Sequence, residues 1–259
     1  MQTGAFTSYI DVAQVAIYLF WFFFAGLVFY LRQEDKREGY PLVSDRSGSI
    51  KVQGFPPMPS PKTFLLPHGG TQTAPRNEAP EAFPAARPSA PWPGAPLDPT
   101  GNPLVDGVGP AAWAMRADEP DLGFDDNLPK IIPLRVAEGW SINTDGPDPR
   151  GYLVVAADTR VAGRVTEVWL DRSENMVRYL EVVVPTDAGD RVILLPSMLA
   201  TYDTEREQVL AASVLSRHFA DAPTLAHPDQ ITLREEDRVA AYFGGGHLYA
   251  NNKRLGPVL

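Results

Sequence analysis

The chain contains no cysteine and only four histidines among its 259 residues. The absence of cysteine excludes a disulfide framework, thiolate metal sites and a cysteine nucleophile, and it suits a reducing compartment. The histidines are too widely spaced for a metal-binding motif, so we interpret each as a loop or surface residue. They are His68, His218, His227 and His247.

Catalytic motifs and excess positive charge are also missing. The sequence has no G-x-S-x-G nucleophile turn and no glycine-rich phosphate loop followed by lysine. The net charge is −9, and the whole excess lies after residue 37. Because phosphate contacts need lysine and arginine, such an acidic domain is a poor nucleic-acid binder. These absences argue against an enzyme, including an anchored hydrolase, and against a nucleic-acid partner.

One long uncharged run is present, at residues 12–31 (VAQVAIYLFWFFFAGLVFYL). A helix of this length spans roughly the 30 Å of a bilayer's hydrocarbon core. No basic residue precedes the run and no A-x-A pattern follows it, so we interpret it as a retained single-pass transmembrane helix rather than a cleaved signal peptide. Arg32, Lys36 and Arg37 follow directly, which predicts a periplasmic N-terminus over 1–11 and a cytoplasmic main domain.

Proline dominates the next region. Fifteen of the 26 prolines fall between Pro56 and Pro110, which excludes a long helix or a central strand there. Composition alone favours a disordered linker, but recurring apolar residues favour an extended segment lying on a partner surface. We predict that residues 32–110 form a charged flank and such a segment, with 76–95 its most mobile part. The recurring apolar residues are Phe55, Phe64, Leu65, Leu66, Trp92, Leu97, Leu104, Val105 and Trp113.

Residues 111–259 have the pattern of a β-rich domain. Short apolar runs separated by turn residues are typical of a small antiparallel barrel or sandwich. The late segment predicts a helix over 233–243, with Thr232 and Glu235 as its capping box and Gly244 as its stop. The predicted fold is therefore a single N-terminal transmembrane helix, a mainly β domain and a short C-terminal helix. The apolar runs are 131–136, 152–157, 161–170, 176–184, 191–195 and 208–214.

Two sets of carboxylates are candidate functional groups. Glu181 lies in VRYLEVVV, a strand pattern that is apolar on both faces. Two interpretations stay open for it: an ion pair with an arginine such as Arg164 or Arg178, or a proton-relay group. A second set lies in ADEPDLGFDD, which is either a solvated loop or a proton-collecting or docking surface. Its members are Asp118, Glu119, Asp121, Asp125 and Asp126.

Long ordered segments over nearly the whole chain resemble the H subunit of the purple-bacterial photosynthetic reaction centre. The segments are LRQEDKREGYPL, PKTFLLPHGG, GNPLVDGVGPAAW, KIIPLRVAEGWSI, DPRGYLVVAADTRVAGRVTEVWLDRSE, RYLEVVV and QITLREEDRVAAYFGGGHLYA. The resemblance implies a PRC-barrel-like domain in a subunit without its own catalytic site. Such a subunit caps the cytoplasmic face of the L and M subunits, supports assembly and shields the quinone sites. It also conducts protons to the secondary quinone during light-driven cyclic electron transport.

The resemblance also implies cofactors, partners and a location. The chain itself is expected to bind no pigment, while the complex holds bacteriochlorophyll, bacteriopheophytin, quinones, a non-haem iron and interfacial lipids. A cytochrome subunit and a light-harvesting antenna ring are compatible partners, and the location is the bacterial inner or intracytoplasmic membrane. The alternative, from composition, is a membrane-anchored β-barrel binding or scaffold module without a photochemical role.

Within this resemblance, Glu181 matches the family's buried glutamate on the proton route. Some members carry a pair of histidines at the proton entrance, just before a KI-x-P segment. Here that stretch reads FDDNLPKIIP, so Asp125 and Asp126 are the nearest replacements. A carboxylate with an ordinary pKa of about 4 is a weaker proton acceptor near neutral pH than a histidine. Either the proton entrance differs in this chain, or these aspartates act through their negative field and hydration.

Overall fold

The computed structural model describes residues 11–40, 54–67, 69–75, 84–92 and 95–251. The chain divides into two compact units, one of residues 1–81 with 92–94 and the other of residues 82–91 with 95–259. Some sequence predictions fall wholly or partly outside the described residues. Residues 1–10 and His68 are not described, and parts of the predicted segments 32–110, 76–95 and 111–259 are not described either.

In the first unit, helix α1 spans Val12–Glu34 and continues as a 3-10 turn, Asp35–Arg37. Asp11 and Gln14 form a reciprocal capping box at its start, because each side chain accepts a hydrogen bond from the other residue's backbone N–H. None of the helix residues is buried. Within the described ranges, this is the one helix long and apolar enough to cross a membrane, with a mean hydropathy of 2.1.

The charged flank of α1 is tied to the start of the proline-rich segment. Glu34 pairs with Arg37 at 2.7 Å and with Lys62 at 2.8 Å. The buried Lys36 donates to the carbonyl oxygens of Gly54, at 3.0 Å, and Pro56. Lys62 begins an antiparallel hairpin of β1 (Lys62–Leu65) and β2 (Thr71–Ala74). The segment is therefore ordered here by ion pairs and carbonyl contacts, in strands too short to form a core.

In the second unit, the short strands β3 (Ala86–Pro88) and β4 (Leu97–Pro99) form a separate pair. The main sheet of this unit has seven strands, which are β5 (Ile131–Pro133), β6 (Leu153–Ala156), β7 (Val161–Asp171), β8 (Met176–Thr186), β9 (Gly189–Pro196), β10 (Thr201–Asp203) and β11 (Gln208–Ala211). The strand order is β10-β11-β6-β7-β8-β9, with β5 also paired to β7. All pairs in this sheet are antiparallel except β6 with β11, which is parallel.

Each predicted apolar run contains a strand, and the mainly β fold class is confirmed. Two differences matter for the site. The run 131–136 is a strand only as far as Pro133, and a 3-10 turn, Leu134–Val136, then carries Arg135 away from the ladder. Strand β10 was not predicted, because TYD has no apolar run of strand length.

The core lies between the sheet and two helices, α2 (Pro103–Asp106) and α3 (Leu233–Tyr249). One face of β8 supplies Leu180 and Val182, both 0% exposed, and α3 supplies the equally buried Val239 and Phe243. Burying such side chains stabilises the fold by about 1.5–3 kcal/mol each. Thr232 and Glu235 form the predicted capping box at the start of α3.

The prediction that Gly244 ends this helix is wrong, because α3 continues to Tyr249. Gly245 and Gly246 are buried within the helix. A Cβ atom on Gly245 would lie 2.5 Å from the Cβ of Ala111, and one on Gly246 would collide with the carbonyl oxygen of Ser213. The two glycines therefore allow the helix to pack closely on its neighbours, and they are not a C-cap.

Candidate functional site

Glu181 lies in the middle of β8, between β7 and β9, where it pairs in register with Glu167 and Leu194. Its sequence neighbours on β8, Leu180 and Val182, point into the core. The Glu181 side chain lies on the other face and is only 13% exposed. The alternation of the sequence thus holds, and the carboxylate is largely removed from water, as predicted.

Three donors from two other elements converge on this carboxylate. Arg135 Nη1 donates to Oε2 at 2.9 Å, and Trp169 Nε1 donates to the same oxygen at 3.1 Å. Thr166 Oγ1 lies 3.2 Å from Oε1 and donates to it. Trp169 and Thr166 both lie on β7, the strand that precedes β8 and pairs with it, whereas Arg135 lies in the 3-10 turn after β5.

The arginine that pairs with Glu181 is therefore Arg135, and neither of the two proposed from the sequence. Arg164 donates instead to the carbonyl oxygen of Gly151 at 2.6 Å, and Arg178 lies 3.9 Å from Glu174. The actual partner is 46 residues away in sequence and is brought in by the pairing of β5 with β7.

Arg135 also connects Glu181 to the segment before α3. Its Nε donates to Asp229 Oδ1 at 3.0 Å, and its Nη2 donates to the carbonyl oxygen of Pro228. Burial disfavours the charged guanidinium, but the bonds to Glu181 and Asp229 outweigh that effect and raise the pKa of Arg135 above its ordinary value. The guanidinium stays charged and fixes one oxygen of Glu181 in place.

A cavity of about 300 Å³ lies against this group of residues. Most of its wall is apolar or aromatic, and Arg135, Glu181 and His227 are its ionisable side chains. The carboxylate therefore lies beside a space large enough to hold water molecules. The lining residues are Arg135, Trp169, Glu181, Val192, Ile193, Leu194, Leu225, Ala226, His227 and Pro228.

Asp125 and Asp126 do not line this cavity. They occupy an exposed turn before β5. Asp126 accepts hydrogen bonds from Arg172 Nη1 at 2.7 Å and from the Leu128 backbone N–H at 3.0 Å. These bonds, that from Arg172 above all, lower the pKa of Asp126 below its ordinary value.

Two other members of the acidic stretch have structural contacts. Asp118 accepts from the Thr232 hydroxyl at 3.0 Å and pairs with Arg234 at 3.1 Å, at the start of α3. Asp121 pairs with Lys130 at 2.8 Å. Much of the stretch thus ties the segment before β5 to the rest of the second unit.

Sequence reasoning missed four residues of the site, which are Arg135, Thr166, Trp169 and His227. Trp169 could have been placed next to Glu181 by aligning β7 and β8 about their turn. Arg135 and His227 carry no comparable signal, since their positions depend on long-range packing. Within the described ranges, no group of three or more His, Cys, Asp or Glu side chains could hold a metal ion.

In the part of the chain that the structure describes, one helix long and apolar enough to cross a membrane accompanies a small, mostly antiparallel sheet domain, an arrangement that fits the class of membrane-associated proteins with a single helix. Residues 145–214 match the model of the PRC-barrel domain, which covers β6 to β11. Residues 4–136 match the model of the photosynthetic reaction centre H-chain N-terminal region, and that match covers half of the chain. The chain therefore belongs to the family of photosynthetic reaction centre H chains.

An H chain is a membrane-associated, non-catalytic subunit of the reaction centre, and it associates with the L and M subunits. Glu181 lies within the PRC-barrel match, whereas Arg135 lies at the end of the H-chain match. The two matched regions thus meet at the Arg135–Glu181 ion pair.

Proposed function

We propose that this H chain caps the cytoplasmic face of the L and M subunits, supports their assembly, shields the quinone sites and conducts protons to the secondary quinone. The membership of the family supports the first three roles. The basic residues directly after the apolar run support a periplasmic N-terminus and a cytoplasmic β domain. That orientation places the acidic domain on the side from which the quinone takes its protons.

The extended segment supplies the proposed contact with the partner subunits. In the chain by itself, several of its large apolar side chains are exposed, including Phe55 at 83% and Leu65 at 85%. A group of exposed apolar side chains of this size is typical of a protein–protein or membrane contact. The predicted boundary at residue 110 is too late, because residues 95–110 belong to the second unit and Leu104, 4% exposed, lies in its core. We therefore propose that the part of 32–110 in the first unit packs on L and M, and that the second unit is the cytoplasmic domain.

The proton-conducting role is carried by one observation, the partly buried carboxylate of Glu181 beside a cavity. An ionised carboxylate has about four lone-pair positions. Arg135, Trp169 and Thr166 use three of them. One position is left for a proton or a water molecule. Glu181 is thus held in one orientation and still has the capacity to bind and release a proton.

Asp125 and Asp126 remain in the proposal, but with a limited role. The lowered pKa of Asp126 makes it a poor proton carrier near neutral pH. We propose that the two aspartates act by their negative field and by hydrating the surface near β5.

Replacing Glu181 with Gln in the intact reaction centre tests the relay. The amide of glutamine has the same size as the carboxyl group of glutamate, but it does not bind and release a proton near neutral pH. A positioned proton-transfer group contributes roughly 10²–10⁴-fold, so we expect the proton-coupled second electron transfer to slow by about tenfold or more, with the first largely unchanged. Flash spectroscopy of the semiquinone follows both steps. Glu205→Gln, an exposed carboxylate between β10 and β11, is the control.

The relay is wrong if the second transfer in the Glu181→Gln complex keeps its normal rate from about pH 6 to about pH 9. A reduced rate in the Glu205→Gln complex would instead indicate a general effect of charge.

A further inference from the structure

The Glu181 cavity has a second proton-binding group at its edge. Its ionisable lining side chains are Arg135, Glu181 and His227. Arginine does not lose its proton in proteins, so only two of the three can exchange one. Glu181 is 13% exposed, whereas His227 is an exposed residue. The two groups that can exchange a proton thus line one cavity from its buried and its solvent-facing sides.

The position of His227 is determined by bonds on both sides of it. The backbone N–H of Ala226 donates to Glu235 Oε1 on α3 at 2.7 Å. The carbonyl oxygen of Pro228 and the carboxylate of Asp229 accept from Arg135, the residue that also binds Glu181. His227 therefore lies between Ala226 and Pro228, whose backbone groups are both hydrogen-bonded. The guanidinium of Arg135 binds this segment as well as the carboxylate of Glu181.

A relay through a partly buried carboxylate needs a group that exchanges protons with bulk water. In general an imidazole does this best near neutral pH, because histidine is the side chain that titrates between about pH 5 and 8. Asp229 and Asp126 do not line this cavity. Within the lining of this cavity, His227 is thus the residue suited to the task.

We propose that His227 is the solvent-side proton-exchange group of the Glu181 cavity, which passes protons to Glu181 through water in the cavity. The proposal rests on the relay role of Glu181. A proton from bulk water binds an imidazole nitrogen, and the imidazolium then protonates a cavity water. That water protonates the carboxylate, and the neutral imidazole is restored. A cavity of about 300 Å³ has room for several water molecules.

Charged groups face the segment that carries His227 from three elements: Arg135 after β5, Glu181 on β8 and Glu235 on α3. Asp229 adds a carboxylate from the segment itself. The segment therefore lies among three carboxylates and one guanidinium.

The test uses intact reaction centres carrying His227→Asn or His227→Ala. We expect the second electron transfer, and the uptake of protons measured with a pH-indicator dye, to slow by about threefold or more above pH 7, where protons are scarce. Added imidazole should restore the rate in the His227→Ala complex. The control His247→Asn changes a histidine on α3 outside the cavity lining and should leave both rates unchanged.

The outcomes separate this proposal from the relay itself. If Glu181→Gln slows the transfer and His227→Asn does not, the exchange role of His227 is overturned and the relay stands. If neither slows it, the relay fails as well. Slowing by His227→Ala without rescue by imidazole would mean a displaced segment, and it overturns the exchange role. A double variant that combines Glu181→Gln with His227→Asn completes the test. If its second electron transfer is no slower than that of Glu181→Gln alone, the two residues act in series on one path, which supports the proposal. If the slowing equals the product of the two single effects, the residues act independently and the proposal is overturned.

Discussion

Gly244 and Gly245 are adjacent in α3, and we expect their replacement with alanine to change the free energy of unfolding in opposite directions. Gly244 has no atom within 4 Å of the position of an added Cβ, whereas a Cβ on Gly245 would lie 2.5 Å from the Cβ of Ala111. Real Cβ atoms do not approach this closely, so Ala111 or α3 must move. Both positions lie inside the helix, so both gain the same helix propensity from alanine.

The magnitudes follow from two known effects. Replacing glycine with alanine inside a helix stabilises it by about 1 kcal/mol. Overpacking a core costs about 1–3 kcal/mol. We therefore expect Gly244→Ala to raise the free energy of unfolding by about 1 kcal/mol, and Gly245→Ala to lower it by about 0–2 kcal/mol. The difference between the two variants is the overpacking cost itself.

Urea unfolding of the full-length chain in detergent, followed by tryptophan fluorescence, measures this difference. Trp169, 1% exposed in the core, reports on the second unit. Equal stabilisation by both substitutions would refute the close packing of α3 against Ala111. Destabilisation by Gly244→Ala would restore the interpretation of the glycines as a helix stop.

Two further predictions concern ionisable groups. Arg135→Met should lower the free energy of unfolding by about 1–3 kcal/mol, between the values for exposed and buried ion pairs. Asp229→Asn should cost less, because the Asp229 side chain is 50% exposed, and an equal cost in urea unfolding would contradict the central role of the Glu181 bond. Burial raises the pKa of Glu236 above 4.5, so the folded state binds this proton more tightly than the unfolded state. The resulting stability is present at low pH and is lost as the pH rises through that raised pKa. Glu236→Gln should therefore gain stability relative to the natural chain as the pH rises above 4.5, the ordinary pKa of this carboxyl, and a difference in thermal unfolding that stays constant with pH would contradict this.

Much of the fold could be predicted because its signals are local. The apolar run at 12–31, the capping boxes at Asp11 and Thr232 and the alternation around Glu181 each depend on residues within a few positions of one another. The parallel direction of β6 and β11 could not be predicted. An alternating apolar pattern looks the same whether a strand pairs in parallel or antiparallel. The pairing of β6 with β11 also joins strands that lie far apart in the chain.

The same distinction between local and long-range signals applies to the candidate site. The sequence by itself determined that Glu181 is a carboxylate in an apolar strand, and that no cysteine or metal motif accompanies it. Only the tertiary structure decided its partners, because Arg135 is 46 residues away and the Pro228 segment is 93 residues from Arg135. Side chains so far apart meet only where strand pairing and helix packing place them. For the same reason, only the structure brings His227 to the cavity and shows that α3 continues past Gly244, with Gly245 packed closely on Ala111.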